Sequence, residues 1–312
     1  MHREFSPMNA AELMDRVVDV YKKSFGKQIA FAAIVYAVAF FGVVFLTIAL
    51  AVFLGGIMGV MGGAGLFVFG DTGFVVIIGL LLAIIPVILV WQAFSSSGHI
   101  LLSKQAFYGH KVKLDFAGIF NVFLCVFSVL VAQIILSVPF VAAALGTVFV
   151  FVYAGFADFP VLRTIGFFVA VFVVSGAFLV YSNIFSLSVA VAVFERRYFF
   201  GAIGRGWLLV KPEFWRILGI RLLWWFVALA FSLSAQGVFA IITLLWDLID
   251  AFIPVGFLLS DSYIFLLTTY VGPALVSLAV APLSGIMEAV LYFNRRIKTE
   301  GLDLEIRLEK LS

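Results

Sequence analysis

Six stretches of the chain, near 28–54, 74–102, 116–152, 162–194, 214–246 and 263–293, are apolar over a helix-spanning length; crossing a bilayer takes roughly 20 such residues. Nothing else in the sequence limits the fold as much. In lipid every backbone N–H and C=O must find its partner inside the protein, so such segments cross as helices. Composition agrees: 64% of the 312 residues are hydrophobic and 12% are charged, with a mean hydropathy of +1.21. Soluble domains are about half apolar and a quarter charged. The expected fold class is all-α, a polytopic transmembrane helical bundle of six spans. Several spans exceed the bilayer requirement, which predicts tilt or projection into water.

The charged residues then orient the spans. Arg3, Arg16, Lys22, Lys23 and Lys27 precede span one. Lys104, Lys111 and Lys113 follow span two, and Arg196, Arg197, Arg205, Lys211, Arg216 and Arg221 cluster around the junction of spans four and five. Arg295, Arg296, Lys298, Arg307 and Lys310 follow span six. Of the 20 basic residues only Arg163 falls on the other side, beside Asp71, Asp158, Asp247, Asp250 and Asp261. The positive-inside rule places both termini in the cytoplasm of a cell membrane. Trp215, Trp224, Trp225 and Trp246 sit at span ends, where aromatic belts form. Pro86, Pro139, Pro273 and Pro282 fall within spans and should kink them.

Residues 1–27 read as a cytoplasmic amphipathic helix. Asn9 and Glu12 have the spacing of a capping box. Leu13, Val17, Val20 and Tyr21 fall on one face, with Asp15, Arg16, Asp19, Lys22 and Lys23 on the other. Gly26 would end this helix, which would lie in the inner headgroup layer. The six-span domain runs over 28–298 and a short amphipathic tail over 299–312, for which we expect a helix. Spans two and four both pass from serines to basic residues and an aromatic–Gly pair, Tyr108-Gly109 and Phe200-Gly201. This predicts three helical hairpins, each introduced by a cytoplasmic interfacial helix. The segment 55–73 carries Gly55, Gly59 and Gly63 at helical spacing. It is either a close-packed helix or a loose or re-entrant external loop; we expect the loop.

Little in the chain speaks of catalysis. The one cysteine, Cys125, lies in an apolar run, so no internal disulfide or thiolate metal site forms. His2, His99 and His110 are scattered, and no nucleophile elbow, zinc-binding helix or phosphate loop is present. No enzymatic activity, cofactor, metal or nucleic-acid partner is expected, since the basic residues occupy short loops and not one water-facing surface. Intramembrane charge is costly and tends to mark function. His99, Arg221 and Glu288 lie in the cytoplasmic third of their spans, with Gln92, Ser96 and Asn183 close by in sequence depth. One expectation pairs Glu288 with Arg221, with His99 nearby, around a cavity open to the cytoplasm. The other has each group reach the inner headgroups alone. Arg16, Lys22, Lys23, Arg196, Arg197, Arg295 and Arg296 are the candidate contacts to an anionic inner leaflet.

Three stretches resemble the glycerophosphoryl diester phosphodiesterase membrane domain and related prokaryotic integral membrane families. In "NAAELMDRVVDVYKKSFGKQIAF" the matching positions are Glu12, Leu13, Asp15, Arg16, Tyr21, Lys22, Lys23 and Phe25. In "GAIGRGWLLVKPEFWRILGI" they are Ala202, Arg205, Trp207, Leu209, Phe214 and Trp215. In "LYFNRRIKTEGLDLEI" they are Tyr292, Phe293, Arg295, Arg296 and the Glu300–Glu305 run, with Asn294 where an Asp is usual. The resemblance implies a six-span membrane module without the phosphodiesterase domain, and carries no activity with it. The expected role is a non-enzymatic scaffold, regulatory or assembly component, in contact with membrane lipids and with a protein partner or a second copy. The alternative is a transporter or lipid-handling protein with a cavity between spans two, four and six.

Overall fold

The computed structural model describes residues 8–60, 71–109, 111–153, 160–252 and 267–301. Among them the chain is an all-α bundle with no strand. Its helices are α1 Ala10–Val60, α2 Asp71–Phe107, α3 Phe116–Tyr153, α4 Pro160–Ser182, α5 Ser188–Glu195, α6 Phe199–Val210, α7 Phe214–Phe252 and α8 Gly272–Glu300. A π-helical turn, Leu267–Val271, leads into α8. Five helical stretches among the described residues are long and apolar enough to cross a membrane. The tail beyond Gly301, and Gly63 of the glycine series, lie outside the described residues. Gly55 and Gly59 do not: α1 runs on to Val60, so they belong to a helix and not to a loose loop.

The start of α1 is a reciprocal cap. Glu12 N–H donates to Asn9 Oδ1 and Asn9 N–H to Glu12 Oε2, both at 2.9 Å. The expected stop at Gly26 is not observed; one helix carries the amphipathic segment into the first span. A glycine in a helix interior costs only about 1 kcal/mol. A break would leave backbone groups unsatisfied close to lipid, which costs more. The expected placement in the headgroup layer also needs correction. Leu13, Val17, Val20, Ser24, Gln28, Phe31 and Val35 are all buried. They form a stripe at three- and four-residue spacing that packs on α2 and α8. The amphipathic face covers protein, not lipid.

Helix α2 packs between α1, α3 and α8; α3 carries α4, α5 and α6 on its flank; α7 lies against α8. Burial is uneven along this bundle. The core is built from Leu13–Val20, Ala93–Phe107, Val122–Ala132, Leu187–Val193, Ala202–Ile220 and Ile286–Ile297. These segments gather at the end that also carries most of the charged side chains, where water competes and the hydrophobic effect drives packing. Toward the other end the helices expose large apolar side chains, including Phe40, Phe45, Phe168, Phe172, Phe231 and Leu244. That surface needs lipid as its solvent.

The threefold pattern does not carry through. Gly109, with φ +74°, follows the end of α2, and residues 111–115 before α3 are not helical. Phe200 and Gly201 instead lie in the first turn of α6, which is the one separate short helix before a span among the described residues. Pro86, Pro139 and Pro282 lie inside helices as expected, whereas Pro273 stands in the first turn of α8, where its missing N–H costs least.

At the basic end Asn294 clasps the start of the described chain. Met8 N–H donates to Asn294 Oδ1 at 2.9 Å, and Asn294 Nδ2 donates to Met8 O at 3.3 Å. A carboxylate there would keep the first bond, lose the second and face a carbonyl. Asn294→Asp is therefore expected to destabilise by about 1 kcal/mol and to speed proteolysis near Met8. Unchanged cleavage would show that the clasp does not hold.

Candidate functional site

The site begins with a break in a helix. The sequence "YSNIFSLSV" places Ser182, Asn183, Ser186 and Ser188 where span four should run unbroken. Ser and Asn compete with backbone partners and favour turns over helix interiors. Helix α4 ends at Ser182, Asn183–Phe185 form a 3-10 turn, and α5 starts at Ser188. The buried Asn183 donates through Nδ2 to Phe214 O at 3.1 Å and ties the break to α7. Irregular backbone at membrane depth survives only where protein buries it or a cavity borders it. Here both conditions hold.

A polar cavity of about 230 Å³ lies beside the break. Gln92 and Ser96 of α2, Gln133 and Ser137 of α3, Tyr181 and Ser182 of α4, Arg221 of α7 and Glu288 of α8 line it. A second, mostly apolar cavity of about 270 Å³ adjoins it between α4, α7 and α8. The two share Ser182, Ser186, Arg221 and Glu288 in their walls.

Of the six residues expected to cluster, the cavity wall brings together Gln92, Ser96, Arg221 and Glu288. Asn183 sits just behind it, its Oδ1 accepting from Arg221 Nη1 at 3.5 Å, with Ser182 O at the same distance. Arg221 and Glu288 face the same space, yet among the described residues no nitrogen–oxygen approach within 4.0 Å joins them. Glu288 makes no hydrogen bond there either. Ser186 Oγ, on a side chain 5% exposed, also has no partner. Such groups are costly to leave unsatisfied.

His99 is elsewhere. Its Nδ1 lies 2.7 Å from Gln28 Oε1, while Gln28 Nε2 donates to His99 O and Ser103 Oγ, both at 3.2 Å. It serves the contact between α1 and α2, with Phe31 edge-on at 5.2 Å. Gln28 gave no warning of this from sequence, because it stands at the edge of span one where a polar residue is unremarkable. Gln133, Ser137 and Tyr181 join the site only through the helix packing.

The seven basic candidates divide. Lys22, Lys23, Arg196 and Arg197 are exposed. Arg16 pairs with Asp19 at 3.2 Å and lies over the Phe107 ring at 5.1 Å. Arg296 pairs with Glu300 at 2.8 Å and stacks on Tyr292. Arg295 is the correction: its side chain is 2% exposed and cannot reach a lipid headgroup. Nε donates to Leu209 O at 2.9 Å, and Nη1 lies 2.7 Å from Glu213 Oε1. Glu213 also meets Arg216 at 3.2 Å and Lys298 at 3.7 Å. A second network centres on Glu195, which accepts from Arg205 and Tyr292 Oη and pairs with Arg197 at 3.1 Å. Arg205 continues to Glu300.

Among the described residues no group of His, Cys, Asp and Glu has the arrangement of a metal site. Fold and site together define a multi-pass, all-α membrane protein with a charged cavity at a broken helix. Compared with known proteins, the chain matches no family model, no curated protein and no solved structure.

Proposed function

We propose that this chain is a transporter or carrier that binds a small molecule in the cavity between α2, α3, α4, α7 and α8. The observation that carries the reading is the pair Arg221 and Glu288, opposite charges lining one polar cavity without touching. A structural ion pair would close that gap, because two desolvated charges left apart lose the attraction that offsets their burial. A binding site keeps the gap for a ligand that offers both charges. The broken helix beside the cavity supports the same reading, since discontinuous helices flank the substrate sites of many transporters. A scaffold has no use for either feature, and for that reason the scaffold role ranks second. On this reading the protein lies in the cell membrane with both termini in the cytoplasm. Exposed Lys22, Lys23, Arg196 and Arg197 then meet the anionic leaflet.

Water access to the cavity tests this. In a Cys125→Ser background, Ser96→Cys and Ser137→Cys should react with a small charged methanethiosulfonate in open membranes. Ser97→Cys, fully buried and outside the cavity wall, should react at least tenfold more slowly. Equal inertness at all three positions would sink the reading.

A further inference from the structure

The two adjoining cavities differ in chemistry, and their shared wall is where the charges stand. On one side, toward α2 and α3, amides and hydroxyls of Gln92, Ser96, Gln133 and Ser137 line the wall together with Leu130. On the other side the wall includes Leu222, Trp225, Ala228, Met287 and Leu291, from α7 and α8. Trp225 is 55% exposed, so this apolar cavity borders the lipid-facing surface of α7. A soluble zwitterion would use only the polar cavity and leave the apolar one empty. An ordinary fatty acid would use the apolar cavity and leave Glu288 facing its carboxylate. A single-chain lipid with a zwitterionic head satisfies both.

We infer that the cavity pair is a binding site for a single-chain zwitterionic amphiphile, with its anionic group on Arg221, its ammonium on Glu288 and its chain between α7 and α8. This deepens the small-molecule reading and rests on it. Arg221 supplies a forked donor suited to a phosphate, and Glu288 accepts from an ammonium. Ser186 Oγ, buried without a partner in the shared wall, supplies a further hydrogen bond to the head. The apolar cavity between α7 and α8 measures about 270 Å³, and one acyl chain is the occupant proposed for it. Lateral access from the bilayer follows, as the chain never needs to leave an apolar medium.

The test uses the full chain in nanodiscs of phosphatidylglycerol, with lysophosphatidylethanolamine carrying a diazirine in its acyl chain. Photolysis should label peptides containing Leu222, Ala228 or Met287. Lysophosphatidylglycerol with the same photoactive chain should label them at least tenfold less, and this comparison needs no variant. Glu288→Gln should reduce the zwitterion's labelling by a similar factor. Equal labelling by the two heads, or labelling confined to lipid-facing residues such as Phe226 and Phe231, would overturn the inference. The head alone, phosphoethanolamine, separates the two levels of the argument. If it protects Ser96→Cys from the thiol reagent while no lysolipid crosslink forms, small-molecule binding stands and the lipid falls. If neither protection nor crosslinking occurs, both fall.

Discussion

Glu213→Ala is expected to destabilise the protein by about 3 kcal/mol, the lower end of the range for breaking a buried ion pair from one side. The reason is the asymmetry between the partners. Arg295 is 2% exposed and Glu213 is 30% exposed. Removing the carboxylate leaves a guanidinium enclosed by α6 and α8 with Leu209 O as its remaining hydrogen-bond acceptor in the network described. Removing Arg216, whose pair with Glu213 is 40% and 30% exposed, breaks a surface contact worth at most about 1 kcal/mol. The two variants should therefore separate clearly in a thermal melt followed by tryptophan fluorescence in non-ionic detergent. A double variant, Glu213→Leu with Arg295→Met, should recover much of the loss, because it removes both charges and keeps the packing volume. Melting of Glu213→Ala together with Arg216→Ala would contradict this account. The turn Lys211–Glu213 joins α6 to α7, so the same variant should also loosen the hold of α8 on that junction.

Gly285→Leu is the second large effect. A Cβ at Gly285 would lie 2.7 Å from His99 Cβ and 3.5 Å from the His99 carbonyl carbon. Helices α2 and α8 meet there closely enough that no side chain fits. Close approach through small residues is how helices gain packing energy where lipid removes the hydrophobic drive. Alanine should already cost about 1–2 kcal/mol, since its Cβ meets an atom fixed to the α2 backbone and overpacking is only partly offset by about 1 kcal/mol of helix propensity. Leucine must push the helices apart and should cost about 3 kcal/mol or more. It also disturbs the stack of Phe107 on Phe293, with centroids 4.3 Å apart, and Glu288 one turn further along α8. The expected result is loss of monodisperse protein, or a melt several degrees below wild type with slower thiol labelling at Ser96→Cys. A wild-type melt would show that α2 and α8 can separate freely.

Several features were legible from residues alone. The capping box of Asn9 and Glu12 forms as read, because a cap involves neighbours in sequence. The long apolar runs become helices, because lipid leaves the backbone no other partner. The face of Leu13, Val17 and Val20 is legible in its spacing. What covers that face is not, since an amphipathic helix looks the same whether its partner is a headgroup layer or α8. Gly26 does not stop the helix because propensity is a small energy beside the cost of breaking a helix near lipid.

The sequence by itself determined the class: helices, their approximate spans, and the gathering of basic residues between alternate pairs. Those properties depend on solvent and on residues within a few positions of one another. Only the tertiary structure decided which buried charges meet. It put Arg295 on Glu213, 82 residues apart, and His99 on Gln28. It also turned Arg221 and Glu288 toward one cavity while keeping them apart. Interactions across helices depend on rotation and crossing angle, to which a lipid-facing apolar surface is almost indifferent. The charged pair at the helix break is accordingly the feature that packing, and not composition, created.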